Sequence, residues 1–188
     1  VNMYMTGRIG REYVVVTDTL VDTLEPDEIA AVLAHEYGHK VSRRLTVALD
    51  MAITVATLLL IFYAVHRFHR RRPVPEALRL QALVQVLFAA QFVALVAYPL
   101  TCAVYRHQER TSDLYALTLT AKPAAFQAAL LKVAAANLEP WQVPGWVYYS
   151  TASHPLLKDR VRMAEQFHVG TSAPDGPPEP RAAEEPPA

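Results

Sequence analysis

Residues 24–40 read Leu24-Glu25-Pro26-Asp27-Glu28-Ile29-Ala30-Ala31-Val32-Leu33-Ala34-His35-Glu36-Tyr37-Gly38-His39-Lys40. Proline suits the first position of a helix, and Asp27 and Glu28 lie where the helix dipole favours negative charge. Glu25 falls at the N-cap, a position better served by Ser or Asp. Ile29, Val32 and Leu33 recur at helical spacing, so the stretch predicts a helix to about Lys40 with those three facing inward. Positions four apart on a helix stand one above the other, so His35 and His39 can reach a single metal ion. Glu36 follows the first of them. A chain of this composition is expected to contain such a pattern by chance roughly 0.015 times, so two unrelated structural histidines are a poor explanation.

Imidazole is a good zinc ligand, and zinc lowers the pKa of a bound water to around 7. A neighbouring carboxylate can take the proton while the resulting hydroxide attacks a carbonyl. His35 and His39 are therefore candidate ligands of one Zn2+ ion, and Glu36 is the candidate general base. A catalytic zinc takes three protein ligands, so one more is needed. Glu109 is the leading candidate, with Asp113 four residues on and placed to orient a ligating imidazole. Spacing alone leaves open that Glu109 and Asp113 belong to a solvated charge cluster. His107 ranks lower, because it would point to a different helix face from Glu109.

Two apolar runs set the architecture. Residues 47–65 are apolar apart from Asp50, and residues 80–105 contain no charged side chain. A bilayer-spanning helix needs about 20 such residues. The two runs predict a transmembrane helical hairpin, joined by an arginine-rich loop broken by Pro73 and Pro75. Two buried core helices would need more covering mass than a 188-residue chain has left over. If the hairpin goes up and back, residues 106–113 return to the surface that carries His35 and His39. Arginines and lysines flank both sides of the hairpin almost equally, so charge does not orient it. The expected location is the cell (inner) membrane with the site facing the cytoplasm.

The remaining signals are local. Residues 11–19, with Tyr13-Val14-Val15-Val16, read as a strand, and residues 1–6 as a second one with a turn at 7–10. Residues 105–120, 124–137 and 156–167 read as helices, and 139–145 as an aromatic, proline-containing loop. The proline-rich tail from 170 is expected to be disordered. The expected organisation is 1–46 (strands and metal-binding helix), 47–105 (hairpin), 106–169 (second half of the metal domain) and 170–188 (tail). The fold class is mainly α with a small β edge, an α+β zincin-type domain interrupted by the hairpin. The opening residues lack a charged n-region and an h-region, so they are not a signal peptide, and the chain reads as a fragment of a longer membrane protein. The 18 basic and 18 acidic residues balance, which gives no field pointing to nucleic acid as a partner. Cys102 lies within an apolar run and reads as a buried, inert thiol.

These features together resemble one family. His35-Glu36-Tyr37-Gly38-His39 entered through Leu24-Glu25-Pro26-Asp27-Glu28, a membrane hairpin, Glu109-x-x-x-Asp113, and Ser153-His154-Pro155 followed by Arg160 look like the membrane zinc metallopeptidases. That family includes the CAAX prenyl endopeptidases and the HtpX-type quality-control proteases. The resemblance covers residues 1 to about 166, and the Tyr148-Tyr149 pair leans towards the CAAX-type branch. It implies a zinc-dependent endopeptidase with His35, His39 and Glu109 as ligands, Glu36 as base, and Asp113 beside the ligands. His154 matches a position that stabilises the oxyanion, and Arg160 one that pairs with an acidic neighbour. Asn2 and Tyr4 lie on the edge strand that would hold an extended substrate. The implied partners are a peptide or protein substrate, membrane-associated or prenylated, and membrane lipid. HtpX-like quality control and non-catalytic metal binding are the alternatives. Met3, Ser112 and Glu25 depart from the family's usual Ala, Ala and Ser, and none of these removes a ligand.

Overall fold

The structure is a computed structural model, and it describes residues 2–8, 11–71, 75 and 79–167. The tail from 170, His168, the turn at 9–10 and residues 72–74 and 76–78 of the arginine-rich loop lie outside the described residues. Strands β1 (Met3–Arg8) and β2 (Arg11–Val16) pair antiparallel, with Met3 opposite Val16. Six helices follow: α1 (Asp18–Thr23), α2 (Pro26–Arg71), α3 (Arg79–Thr120), α4 (Pro123–Ala136), α5 (Gly145–Thr151) and α6 (Leu157–Gln166).

The helix beginning at Pro26 does not stop near Lys40. It continues through the first apolar run as one element of 46 residues. Likewise, the second apolar run and residues 105–120 form one 42-residue helix. No proline or glycine interrupts residues 39–65, so nothing in the local sequence ends the helix there. At about 1.5 Å per residue, α2 is roughly 70 Å long against about 30 Å of hydrocarbon. The part of α2 before the apolar run, residues 26–46, therefore stands clear of a membrane, and it carries His35 and His39. The start of α2 is closed by Glu28, whose Oε2 accepts the Glu25 N–H at 2.9 Å. The weak N-cap residue is thus compensated from the third helical position, as in one half of a capping box.

Antiparallel pairing of α2 and α3 solves the long gap in the sequence. His39 lies 32 residues before the end of α2 (71 − 39), and Glu109 lies 30 residues after the start of α3 (109 − 79). Helices of equal rise bring the two residues back to the same level. Both helices are long and apolar enough to cross a membrane, and only 6% and 0% of their most apolar windows are covered by protein. Phe62, Phe88 and Phe92 are among the side chains left bare. A core helix of a soluble protein would have these surfaces covered.

The apolar core sits at the opposite end from the hairpin loop. Ala31, Ala34, Ala116, Leu117, Phe126 and Ala164 join α2, α3, α4 and α6. Met3, Leu20, Leu24 and Ala129 join the sheet, α1 and α4 beside it. The fully buried stripe of α2 is Ala31, Ala34 and Gly38; Ile29 and Val32 pack half-buried against the core as expected, whereas Leu33 is 41% exposed. Small residues win these positions because the helices approach closely. A Cβ on Gly38 would stand 2.8 Å from the Ser112 Cα. The six-residue α1 and seven-residue α5 were not expected, since both are too short for hydrophobic periodicity to mark.

Candidate metal centre

His35 and His39 occupy one face of α2, and α3 brings Glu109 and Asp113 against them. The two Nε2 atoms are 3.0 Å apart. Glu109 Oε2 lies 3.5 Å from His35 Nε2, and its Oε1 lies 3.3 Å from His39 Nε2. A tetrahedral ion with N and O ligands at about 2.0–2.2 Å spaces its donors by roughly 3.3–3.6 Å. The contacts to the two Glu109 oxygens fall in that spacing and the 3.0 Å between the imidazoles is a little short of it; with one atom from each, these three residues could hold a metal ion.

The proton inventory points the same way. His35 Nδ1 lies 2.8 Å from Asp113 Oδ1, an ion-pair contact without hydrogen-bond alignment, and the Asp113 carboxylate favours a proton on that nitrogen. The His35 Nε2 faces the Glu109 carboxylate and the His39 Nε2, and a proton or a metal cation on that side would satisfy them. Burial works against an imidazolium at His35. The carboxylates of Asp113 and Glu109 nevertheless outweigh it and push the pKa up to about 9. The site thus favours positive charge at the place where the donors converge. At His39 burial prevails, and with the neighbouring His35 charge it lowers the pKa.

Behind the ligands lies a charge clamp. Arg160, from α6, donates to Asp113 through Nε (2.7 Å) and Nη2 (2.6 Å). Its Nη2 is also 3.9 Å from Glu109 Oε2. Asp113 is fully buried, and burial alone would raise its carboxyl, but Arg160 and His35 hold it below the ordinary value. Glu109 is likewise held down by His35, His154 and His39 against the effect of burial. Both carboxylates are therefore ionised donors. Arg160 fixes Asp113, and Asp113 fixes the His35 ring.

An open cavity of about 330 Å³ lies in front of the triad. Glu36 lines it, and burial, reinforced by Glu109, raises the Glu36 carboxyl pKa, with His35 opposing. His154, on the turn before α6, reaches in from solvent, with Nε2 3.4 Å from Glu109 Oε1 and Nδ1 3.0 Å from Ser153 Oγ. Asn2 lines the rim, its backbone tied to Thr17 by hydrogen bonds of 2.9–3.1 Å. Tyr4 does not line the cavity. It lies on the face of β1 opposite buried Met3 and is 47% exposed. His66 stacks on Phe62 far along α2, and His107 is exposed.

Sequence reasoning missed the apolar wall of the cavity, Phe126, Leu130 and Val133 of α4, and the acidic Glu139 at its end. The spacing of those apolar residues marks a buried helix face equally well, and only the packing shows that part of it borders a cavity.

The chain is similar to known proteins over most of its length. The metalloprotease YhfN of Bacillus subtilis, itself uncharacterised, is 27% identical over 88% of this chain and 40% of its own length. A protease HtpX homolog of Methanosarcina mazei is 34% identical over 70% of this chain and 45% of its own. The crystal structure of Ste24p from S. mikatae superposes with a TM-score of 0.63 at 26% identity, covering 86% of this chain and 41% of that one. The chain thus spans about two-fifths of the length of the proteins it matches. The sequence pattern of Peptidase family M48 extends over residues 1–168, from β1 to beyond α6, and the chain belongs to that family.

Proposed function

We propose that this chain forms the metal-binding core of a membrane-embedded, zinc-dependent endopeptidase. The observation that carries the reading is the donor triangle of His35, His39 and Glu109, opening onto the cavity that Glu36 lines. Zinc, when bound by these three residues, would supply a Lewis acid and a water acidified to near neutrality.

The chain's own groups account for the rest. Glu36, with its raised pKa, accepts a proton at its carboxylate and later returns it to the leaving amine. His154 Nε2 donates a hydrogen bond to the oxygen that gains negative charge. The free edge of β1, beginning at Asn2, takes an extended peptide as an added strand. Asp113 and Arg160 keep His35 and Glu109 in place and ionised. The substrate is a peptide or protein reached from the membrane surface. The site faces the cytoplasm of the cell membrane, and the domain organisation is that of 1–46 and 106–169 joined by the hairpin 47–105.

Two substrate classes compete. The Tyr148-Tyr149 pair favours prenylated tails, whereas the 34% identity with an HtpX homolog over 70% of this chain favours membrane-protein quality control. Cleavage of casein and of a prenylated peptide by purified full-length protein separates them. In the same assay, Glu36→Gln lowers turnover about 10²- to 10⁴-fold with metal content retained, and Glu109→Ala loses the metal. Unchanged turnover in Glu36→Gln overturns the hydrolytic reading, and an unchanged metal content in Glu109→Ala removes Glu109 as a ligand.

A further inference from the structure

Between α4 and α6 only Asn137, Glu139 and His154 border the metal-site cavity, and the aromatic residues between them expose a conspicuous apolar surface outside the hairpin. Leu138 is 89% exposed, Trp146 76%, Tyr149 68% and Trp141 50%. Residues 140–152 carry no charged side chain. Soluble surfaces scatter such residues singly, and a cluster of this kind marks a contact.

The fold says what it touches. Arg106 is the first charged residue after the uncharged run 80–105 of α3, so it marks the level at which that helix leaves the hydrocarbon. Its Nη1 donates to the carbonyls of Tyr148 (3.2 Å) and Ala152 (2.6 Å), and its guanidinium lies 4.8 Å from the centre of the Tyr148 ring. These bonds pin α5 to α3 at the membrane boundary. Trp146 and Tyr149 are within two residues of Tyr148, about 3 Å of helix rise. The headgroup layer is about 5–8 Å thick on each side, so both side chains stand at its depth. Tryptophan and tyrosine are the residues enriched there, each with an apolar body and a polar tip. Arg110 lies one turn beyond Arg106, on the side away from the hydrocarbon, where anionic headgroups or water would meet it.

We infer that Trp141, Trp146 and Tyr149 form an interfacial foot that rests in the headgroup layer of the same bilayer leaflet from which the metal domain emerges. The foot fixes the height of the cavity above the membrane, and the lipid surface is its occupant. This rests on the hairpin spanning the bilayer and not on peptidase chemistry.

The chain holds two tryptophans, Trp141 and Trp146, so indole fluorescence reports this segment. Full-length protein is reconstituted in phosphatidylcholine vesicles whose acyl chains are brominated near the carbonyls, brominated near the chain ends, or unmodified. Flotation of the vesicles is scored in parallel. The signal of the segment is the difference between wild type and a Trp141→Phe/Trp146→Phe variant. Expected are blue-shifted emission, loss of most of the signal to bromine near the carbonyls, less to bromine near the chain ends, and weak quenching by aqueous iodide. Protein that floats but whose indoles respond to iodide and not to bromine overturns the foot alone. Indoles that respond to neither quencher overturn it too, since another protein segment or a second copy then covers them. Protein that does not float overturns the hairpin and the foot together. Glu36→Gln gives the wild-type fluorescence whatever its activity.

Discussion

Replacing Gly38 with alanine tests the idea that helix contact sets the metal geometry. The added Cβ would meet the Ser112 Cα at 2.8 Å and the Ser112 Cβ and carbonyl oxygen at 3.1 Å each. The nearest of these is backbone and cannot swing aside. Restoring ordinary contact at 3.4 Å requires α2 and α3 to part by about 0.6 Å (3.4 − 2.8). Gly38 adjoins His39, and Ser112 adjoins Asp113, so the separation falls on the site. The Glu109 distances of 3.3 and 3.5 Å would grow towards 4 Å, beyond the roughly 3.3–3.6 Å that a tetrahedral zinc tolerates. Two energies oppose one another in the fold itself. Alanine gains up to about 1 kcal/mol in helix propensity, while overpacking costs about 1–3 kcal/mol. The net change is between neutral and about 2 kcal/mol destabilising. Zinc affinity should fall more than stability does, by about 10- to 100-fold, the range for disturbed ligand support. Competition against a chromophoric chelator, alongside thermal melts with and without zinc, measures both. Wild-type zinc affinity in Gly38→Ala, with an unchanged or higher melting temperature, would refute the argument that this contact sets ligand spacing.

Further predictions concern the surroundings of the site. Arg160→Met leaves Asp113 buried without its bidentate partner, and should cost about 3–5 kcal/mol in thermal or denaturant unfolding. A loss below about 1 kcal/mol would mean that the clamp is not structural. Among the described residues, Ser112 Oγ is buried without a hydrogen-bond partner, so Ser112→Ala should be neutral or stabilise by up to about 1 kcal/mol. Ala121 ends α3 with φ 51°, the left-handed C-cap position that favours glycine, and Ala121→Gly should raise stability by up to about 1 kcal/mol in the same melts. Glu28 is buried, 6% exposed, and held by two partners, the Glu25 N–H and Lys132 Nζ at 2.7 Å. Burial acts to raise its carboxyl, but these partners hold it below its ordinary value. A depressed carboxyl contributes stability above its unfolded pKa and loses it as pH falls through the folded one. The stability difference between wild type and Glu28→Gln should therefore be about 1–2 kcal/mol at neutral pH and vanish on acidification below the carboxylate range. A difference that persists in acid would rule out charge as its source.

The parts of this protein that local chemistry decides were legible in the chain. His35 and His39 share a helix face because they are four residues apart, whatever surrounds them. The uncharged run 80–105 demands an apolar surrounding, and Pro26 with Asp27 and Glu28 marks a helix start. Where such signals were silent, the reading stopped short. Nothing local ends a helix at Lys40, and an end was inferred there only because the apolar periodicity of its first turns ran out.

What the tertiary structure decided is where distant residues meet. Glu109 lies 70 positions from His39 (109 − 39); the sequence offers it as one candidate among several, and two helices of matched length folding back on each other bring it to the histidines. The same return seats Asp113 under His35, and α6 delivers Arg160 to Asp113 over 47 positions. Nothing in the sequence marks Gly38 as a helix contact, and only the packing sets Ser112 against it. The face of α4 reads as core and proves to be a cavity wall. Sequence spacing governs contacts within a turn or two of helix, because rise and rotation per residue are fixed. Contacts between elements depend on the packing of whole helices, and no stretch of the chain states them by itself.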